Sequence, residues 1–202
     1  MTFFLHMSKK IRNFAPEMKR ILILALLFLP FLSSLRVSAV EVSLSEEEQR
    51  LYDLMMQYRQ EHHLPVIPLS ASLTYVAQSH ARDLQNYPPQ DGCLLHSWSD
   101  QGSWTPLCYP AQPTEEQQKG MWNKPREMTM YPDAGYEIAY VHISAATAEG
   151  ALSDWKSSPI HDAVMLNMGE WEGATWRAIG IGIYGHYAVV WFGEKKDKAK
   201  KK

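Results

Sequence analysis

The chain has 202 residues, with 20 Lys and Arg against 22 Asp and Glu for a formal net charge of −2, and 46% of it is hydrophobic. That length suits one domain with a real core. The slight acidity argues against a nucleic-acid partner, which calls for a basic face.

The first 39 residues read as an export signal. Lys19 and Arg20 form a basic start, residues 21–29 an apolar core, and Val37-Ser38-Ala39 a small-residue cleavage site. Met18, directly before Lys19, is a second candidate start of translation. The apolar run over residues 21–35 is broken by Pro30 and by Ser33-Ser34. It is shorter than the roughly 20 residues that span a bilayer core, so a cleaved leader is expected rather than an anchor. Cleavage after Ala39 leaves 163 residues carrying 14 basic and 21 acidic side chains, a net charge of −7. The expected product is secreted or periplasmic, with no integral membrane domain.

Ser45 and Glu48 form a capping box, and Leu51, Leu54, Met55 and Tyr58 recur on one face of the helix that follows. It is expected to end near His62 and His63, before Pro65 and Pro68. Histidines there suit the negative end of the helix, so they are read as capping charges and not as ligands. A second helix is expected over residues 71–85. Leu73, Val76, Ala77, His80, Ala81 and Leu84 share its stripe, so His80 points inward as a hydrogen-bonded core residue outside the site.

Residues 87–134 lose periodicity, which is unusual inside a small domain unless the segment is pinned or functional. An exported chain with two cysteines predicts a Cys93–Cys108 disulfide, worth on the order of 3 kcal/mol, close to His96. Cys93-x-x-His96 is also half of a zinc site, although a second such pair is missing. Trp98, Trp104, Tyr109 and Trp122 either line a cleft or form the loop's own small core.

A strand is expected over residues 136–141 and a third helix over 145–156, with Ala148, Ala151, Leu152 and Trp155 buried. In Trp155-Lys-Ser-Ser158-Pro-Ile-His161, Ser158 is the N-cap of a fourth helix and Pro159 its first residue, which puts His161 third. The positive helix end there favours a neutral imidazole, able to bind metal or accept a proton. Strands over 175–184 and 187–193 close the domain around a Gly185-His186 turn. The lysine-rich residues 194–202 read as a solvated, disordered end, or else as a weak tether to anionic envelope surfaces.

Taken in order, two amphipathic helices, His96-Ser97, Glu137-Ile138-Ala139, the W-x-x-S-x-x-H of residues 155–161, a Gly-x-Gly strand and an aromatic-rich strand carry a resemblance. From residue 44 to 193 the chain resembles the SCP-like domain of the CAP superfamily, which comprises cysteine-rich secretory proteins, antigen 5 and pathogenesis-related proteins, and in particular its bacterial branch. The resemblance implies an α+β fold, a three-layer α-β-α sandwich over residues 40–193. It also implies a shallow cleft of histidines and acidic residues that in some members holds a divalent metal.

His96 and His161 match the two cleft histidines. The family's Gly-Glu-Asn-Ile-Ala meets Gly135-Tyr136-Glu137-Ile138-Ala139 here, so an ungapped match puts Tyr136 where the glutamate belongs. One residue along a strand reverses the face, and either Glu137 or Tyr136 looks into the cleft. Ser158 stands where eukaryotic members carry a second glutamate. The candidate cleft residues are thus His96, Glu137, His161, Tyr136 and Ser158. The candidate ligands for zinc or another divalent cation are His96, His161 and Glu137.

The chain has no G-x-S-x-G and no H-E-x-x-H, so the leading expectation is a binding module for a small apolar or peptide-like ligand. The alternatives are a metal-assisted hydrolase or peptidase, with Glu137 as ligand or base, and a structural or interaction module of the cell envelope in which the polar trio only orders the cleft.

Overall fold

The computed structural model describes residues 42–198, so the expected export signal and the last four lysine-rich residues lie outside the described residues. Helix α1 (Glu46–Glu61) begins at the expected capping box. The Ser45 hydroxyl accepts from the Glu48 backbone N–H, and the Glu48 carboxylate accepts from Ser45 N–H at 2.8 Å. Helix α2 (Ala71–Asn86) is capped by Ser70 and buries Leu73, Val76, Ala77, His80, Ala81 and Leu84, the stripe read from the sequence.

Strands β1 (Tyr136–Val141), β2 (Ala178–Tyr184) and β3 (Tyr187–Gly193) make an antiparallel sheet in the order β1-β3-β2. Tyr184 pairs with Tyr187 across the Gly185-His186 turn, and Gly185 has the positive φ of 58° that such a tight turn requires. Among the described residues no helix is long and apolar enough to cross a membrane.

Strand alternation sorts the sheet into two faces. Ile138, Tyr140, Ile179, Ile181, Val190 and Phe192 pack against α1 and two later helices, Ala148–Ser157 and Pro159–Leu166. Ala139, Ala178, Val189 and Trp191 pack on the other side, against α2. The result is the expected α-β-α sandwich. Gly180 and Gly182 explain how closely α2 lies on the sheet. A Cβ at Gly180 would fall 2.0 Å from the Leu73 carbonyl carbon, and one at Gly182 would fall 2.3 Å from that of Ala77. Glu48 locks the same layers from the edge, accepting from Gln78 Nε2 at 2.9 Å and from the Ile183 N–H at 3.0 Å.

Several expectations are corrected. The segment over residues 87–134 is not structureless: it holds α3 (Glu115–Trp122) and α4 (Lys124–Met128). Thr114 and Gln117 form a capping box for α3, but Met121 is its only buried residue, so no apolar stripe announced it. The helix expected from residue 145 begins at Ala148 because Thr147 caps it; it is α5, and Pro159–Leu166 is α6. Strand β2 starts at Ala178, three residues later than expected.

Cys93 and Cys108 are joined, which removes the zinc half-site. Trp98, Trp104, Tyr109 and Trp122 pack with the α2 stripe, so they serve mainly as the loop's own core. The described part of the lysine-rich end is tied down and not free. Tyr131 Oη donates to the Lys195 carbonyl at 2.6 Å, and Asp197 accepts from the Ser70 hydroxyl at 2.6 Å and the Ser72 N–H at 2.9 Å.

Candidate functional site

The site is built where Glu137 of β1 meets His80 of α2. In β1 the alternation sends Glu137, Ala139 and Val141 toward the α2 side and Tyr136, Ile138 and Tyr140 toward the other. Tyr136 therefore joins Trp171 and Trp176 on the far face, with ring centroids 4.8 and 5.7 Å away. It is Glu137 that meets the histidines.

Its carboxylate is fully buried and divided between two rings. Oε2 lies 2.5 Å from His80 Nδ1 and Oε1 lies 2.7 Å from His96 Nδ1. His80, also fully buried, places its other nitrogen 2.8 Å from the Ser97 carbonyl and stacks on Trp98, with centroids 4.0 Å apart.

Counting donors settles the protons. A carbonyl can only accept, so His80 Nε2 carries a hydrogen. Its Nδ1 faces a carboxylate, so one further proton lies on that hydrogen bond. Burial opposes the charge of Glu137, but His80 and His96 together outweigh it and hold the carboxyl below its ordinary range. The His80–Glu137 pair shares that one proton along its short contact and carries no net charge. His96 donates its own Nδ1–H to the other oxygen, which leaves Nε2 on the far side of the ring as a bare acceptor.

His161 is the third residue of α6, as expected from Ser158-Pro159. Ser158 holds the N-cap position, but its side chain makes no capping hydrogen bond. The Nδ1 of His161 is buried without a partner. Burial pushes its pKa down, nearby His96 pushes it further the same way, and Asp154 opposes both. A neutral ring follows.

His96 and His161 line one cavity of about 440 Å³, whose other walls include Pro88, Pro89, Leu95, Ala139 and Val141. Glu137 stands behind His96 and not in the wall, and neither Tyr136 nor Ser158 lines the cavity. Among the described residues no serine or threonine lines it, and its one cysteine, Cys93, is in the disulfide.

The metal expectation does not fit this arrangement. Among the described residues no group of three or more His, Cys, Asp or Glu could hold a metal ion. Both oxygens of Glu137 already accept hydrogen bonds, so the third ligand of the expected trio is committed elsewhere. What the geometry offers is a hydrogen-bond acceptor at His96 beside a second imidazole in an apolar hollow. The residue that sequence reasoning left outside the site is His80. Its place on the buried stripe of α2 was legible, whereas its carboxylate partner comes from a strand 57 residues away.

No family model and no curated protein matches the chain. Solved structures do. An outer surface protein of Borrelia burgdorferi is 18% identical with a TM-score of 0.50, over 77% of this chain and 97% of that one. An extracellular protein containing a SCP domain from Bacillus anthracis is 18% identical with a TM-score of 0.48, over 77% of this chain and 45% of the other. A cysteine-rich secretory protein from Staphylococcus aureus is 14% identical with a TM-score of 0.47, over 77% and 41%. This chain thus spans less than half the length of the last two. At such identities the likeness concerns architecture alone. The chain has an α-β-α sandwich fold, and the likeness to the Borrelia burgdorferi outer surface protein is one of fold.

Proposed function

We propose that this protein is an exported, surface-exposed or periplasmic binding module that takes a small ligand with an apolar body, peptide-like in its polar part, into the cavity between His96 and His161. One observation carries the reading: two imidazoles from distant parts of the chain meet in a hollow of about 440 Å³ whose remaining walls are mostly proline and aliphatic. Support for export comes from the basic and apolar leader pattern and from the disulfide.

Binding is favoured over metal-assisted hydrolysis because Glu137, the expected ligand or base, is fully buried and occupied by His80 and His96. It is favoured over a purely structural role because the His80–Glu137–His96 network is satisfied without His161, whose Nδ1 has no partner.

The test is ring-proton and methyl NMR of the mature protein with hexanamide at millimolar concentration. Saturable shifts at His96, His161, Ala139 and Val141 are expected, with weaker binding in His161→Ala. Absence of saturable shifts at these four residues with every six-carbon probe described below would overturn the reading. Zinc binding that fails in both His96→Ala and His161→Ala, with peptide turnover that fails in Glu137→Gln, would put the hydrolase in its place.

A further inference from the structure

We infer that the buried His80–Glu137–His96 chain fixes the chemistry of the cavity, so that it selects a ligand whose polar group is an uncharged carboxamide, the unit of a peptide bond. This rests on the cavity being the binding site and adds which ligand class it takes.

The argument is a count of hydrogens. His80 Nε2 meets the Ser97 carbonyl at 2.8 Å, which can only accept, so Nε2 carries a hydrogen, and one more proton lies on the 2.5 Å contact between Nδ1 and Glu137 Oε2. On whichever side of the Nδ1–Oε2 contact that proton sits, Glu137 Oε1 is left free to accept. Glu137 stays an acceptor on its other oxygen, 2.7 Å from His96 Nδ1. His96 must present a hydrogen there, and in the neutral ring that leaves Nε2 bare.

His161 is constrained in the opposite sense. Its Nδ1 is buried with no partner. A buried N–H without an acceptor is rarer and costlier than a buried bare nitrogen, so the ring keeps its hydrogen on Nε2.

The two imidazoles of the cavity then offer one acceptor, His96 Nε2, and one donor, His161 Nε2–H, with the Tyr187 ring as a further wall. A carboxamide carries its N–H and its C=O on separate atoms and answers both at once. A carboxylate has nothing to donate to His96. An ester has no donor, and an alkylammonium ion has no acceptor and would be stripped of water in an apolar hollow. The walls of Pro88, Pro89, Leu95, Ala139 and Val141 accept the aliphatic part of such a ligand.

Two measurements on the mature protein test this. Long-range ¹⁵N–¹H spectra read the tautomers directly: His96 should be protonated on Nδ1 and His161 on Nε2 near pH 7, and the reverse at either ring overturns the proposal. NMR titrations then compare hexanamide, methyl hexanoate, sodium hexanoate, hexylammonium and hexan-1-ol, which share an apolar body. Hexanamide is expected to bind about 10-fold more tightly than the ester, the difference that one well-made buried hydrogen bond supplies. His161→Phe should erase that preference while the chain still binds.

Equal affinity of all five probes at the cavity would leave the binding reading standing and overturn the carboxamide assignment, and so would tightest binding of hexanoate or hexan-1-ol. No binding of any probe would overturn both.

Discussion

Replacing Glu137 by Gln should be nearly harmless to the fold, and replacing its neighbour His80 by Ala should not. In the native cluster three hydrogen bonds link Ser97, His80, Glu137 and His96, and the single proton shared by His80 and Glu137 leaves that pair without net charge. A glutamine at 137 can reproduce all three. Its oxygen accepts from His96 Nδ1–H, its amide N–H donates to a His80 Nδ1 that has lost its proton, and His80 Nε2–H still reaches the Ser97 carbonyl. The cluster remains neutral and its shape is retained, so the cost is expected to be about 1 kcal/mol or less.

His80→Ala instead leaves one Glu137 oxygen and the Ser97 carbonyl unpaired in the interior and removes the ring stacked on Trp98. Breaking a buried pair in this way costs on the order of 3–5 kcal/mol, a large part of the stability of a domain this size. Urea unfolding of the oxidised protein at pH 7, followed by tryptophan fluorescence, gives both numbers. If Glu137→Gln is as damaging as His80→Ala, the donor count is wrong.

The pH dependence supplies a second check with a definite sign. Glu137 is held below its ordinary value of 4.5, so its contribution is fully present above about that pH and is lost as the pH falls through the lower folded value. The glutamine variant has no such proton to take up, so the wild type should lose its advantage over Glu137→Gln between pH 4.5 and lower values.

Gly180→Ala should destabilise by about 3 kcal/mol or more, because the new methyl meets the Leu73 backbone at 2.0 Å and neither main chain can yield; an unchanged melting temperature would contradict the close contact of α2 with β2. Reduction of Cys93–Cys108 with dithiothreitol should cost about 3 kcal/mol and shift the ring signals of His96, which lies three residues from Cys93. A constant unfolding midpoint after complete reduction would argue against that restraint. Asp197→Ala removes an acceptor from the Ser70 and Ser72 groups at the start of α2 and should cost about 1 kcal/mol, read as a lower urea midpoint. No change there would return the lysine-rich end to the solvated segment expected from composition.

Local signals carried the sequence reading a long way. The capping box Ser45/Glu48, the stripe on α2, the Tyr187–Gly193 strand and the Gly185-His186 turn depend on neighbours within one or two turns of chain, and the structure contains each of them. The Ser158-Pro159 start that makes His161 the third residue of α6 is equally local. Helix α3 escaped notice because it buries only Met121 and so leaves no periodic trace, although its cap lay in plain view at Thr114 and Gln117.

The sequence by itself determined most of the elements, their order and the place of His161 at the start of α6, because propensity, capping and apolar period act over a few residues. Tertiary structure alone decided that Glu137 and not Tyr136 meets His96, and that His80 joins them. Which way a strand residue points depends on the register of β1 against β3, and who partners a buried carboxylate depends on what α2 lays against it. Both are settled by packing between segments far apart in the chain, and no local pattern encodes them.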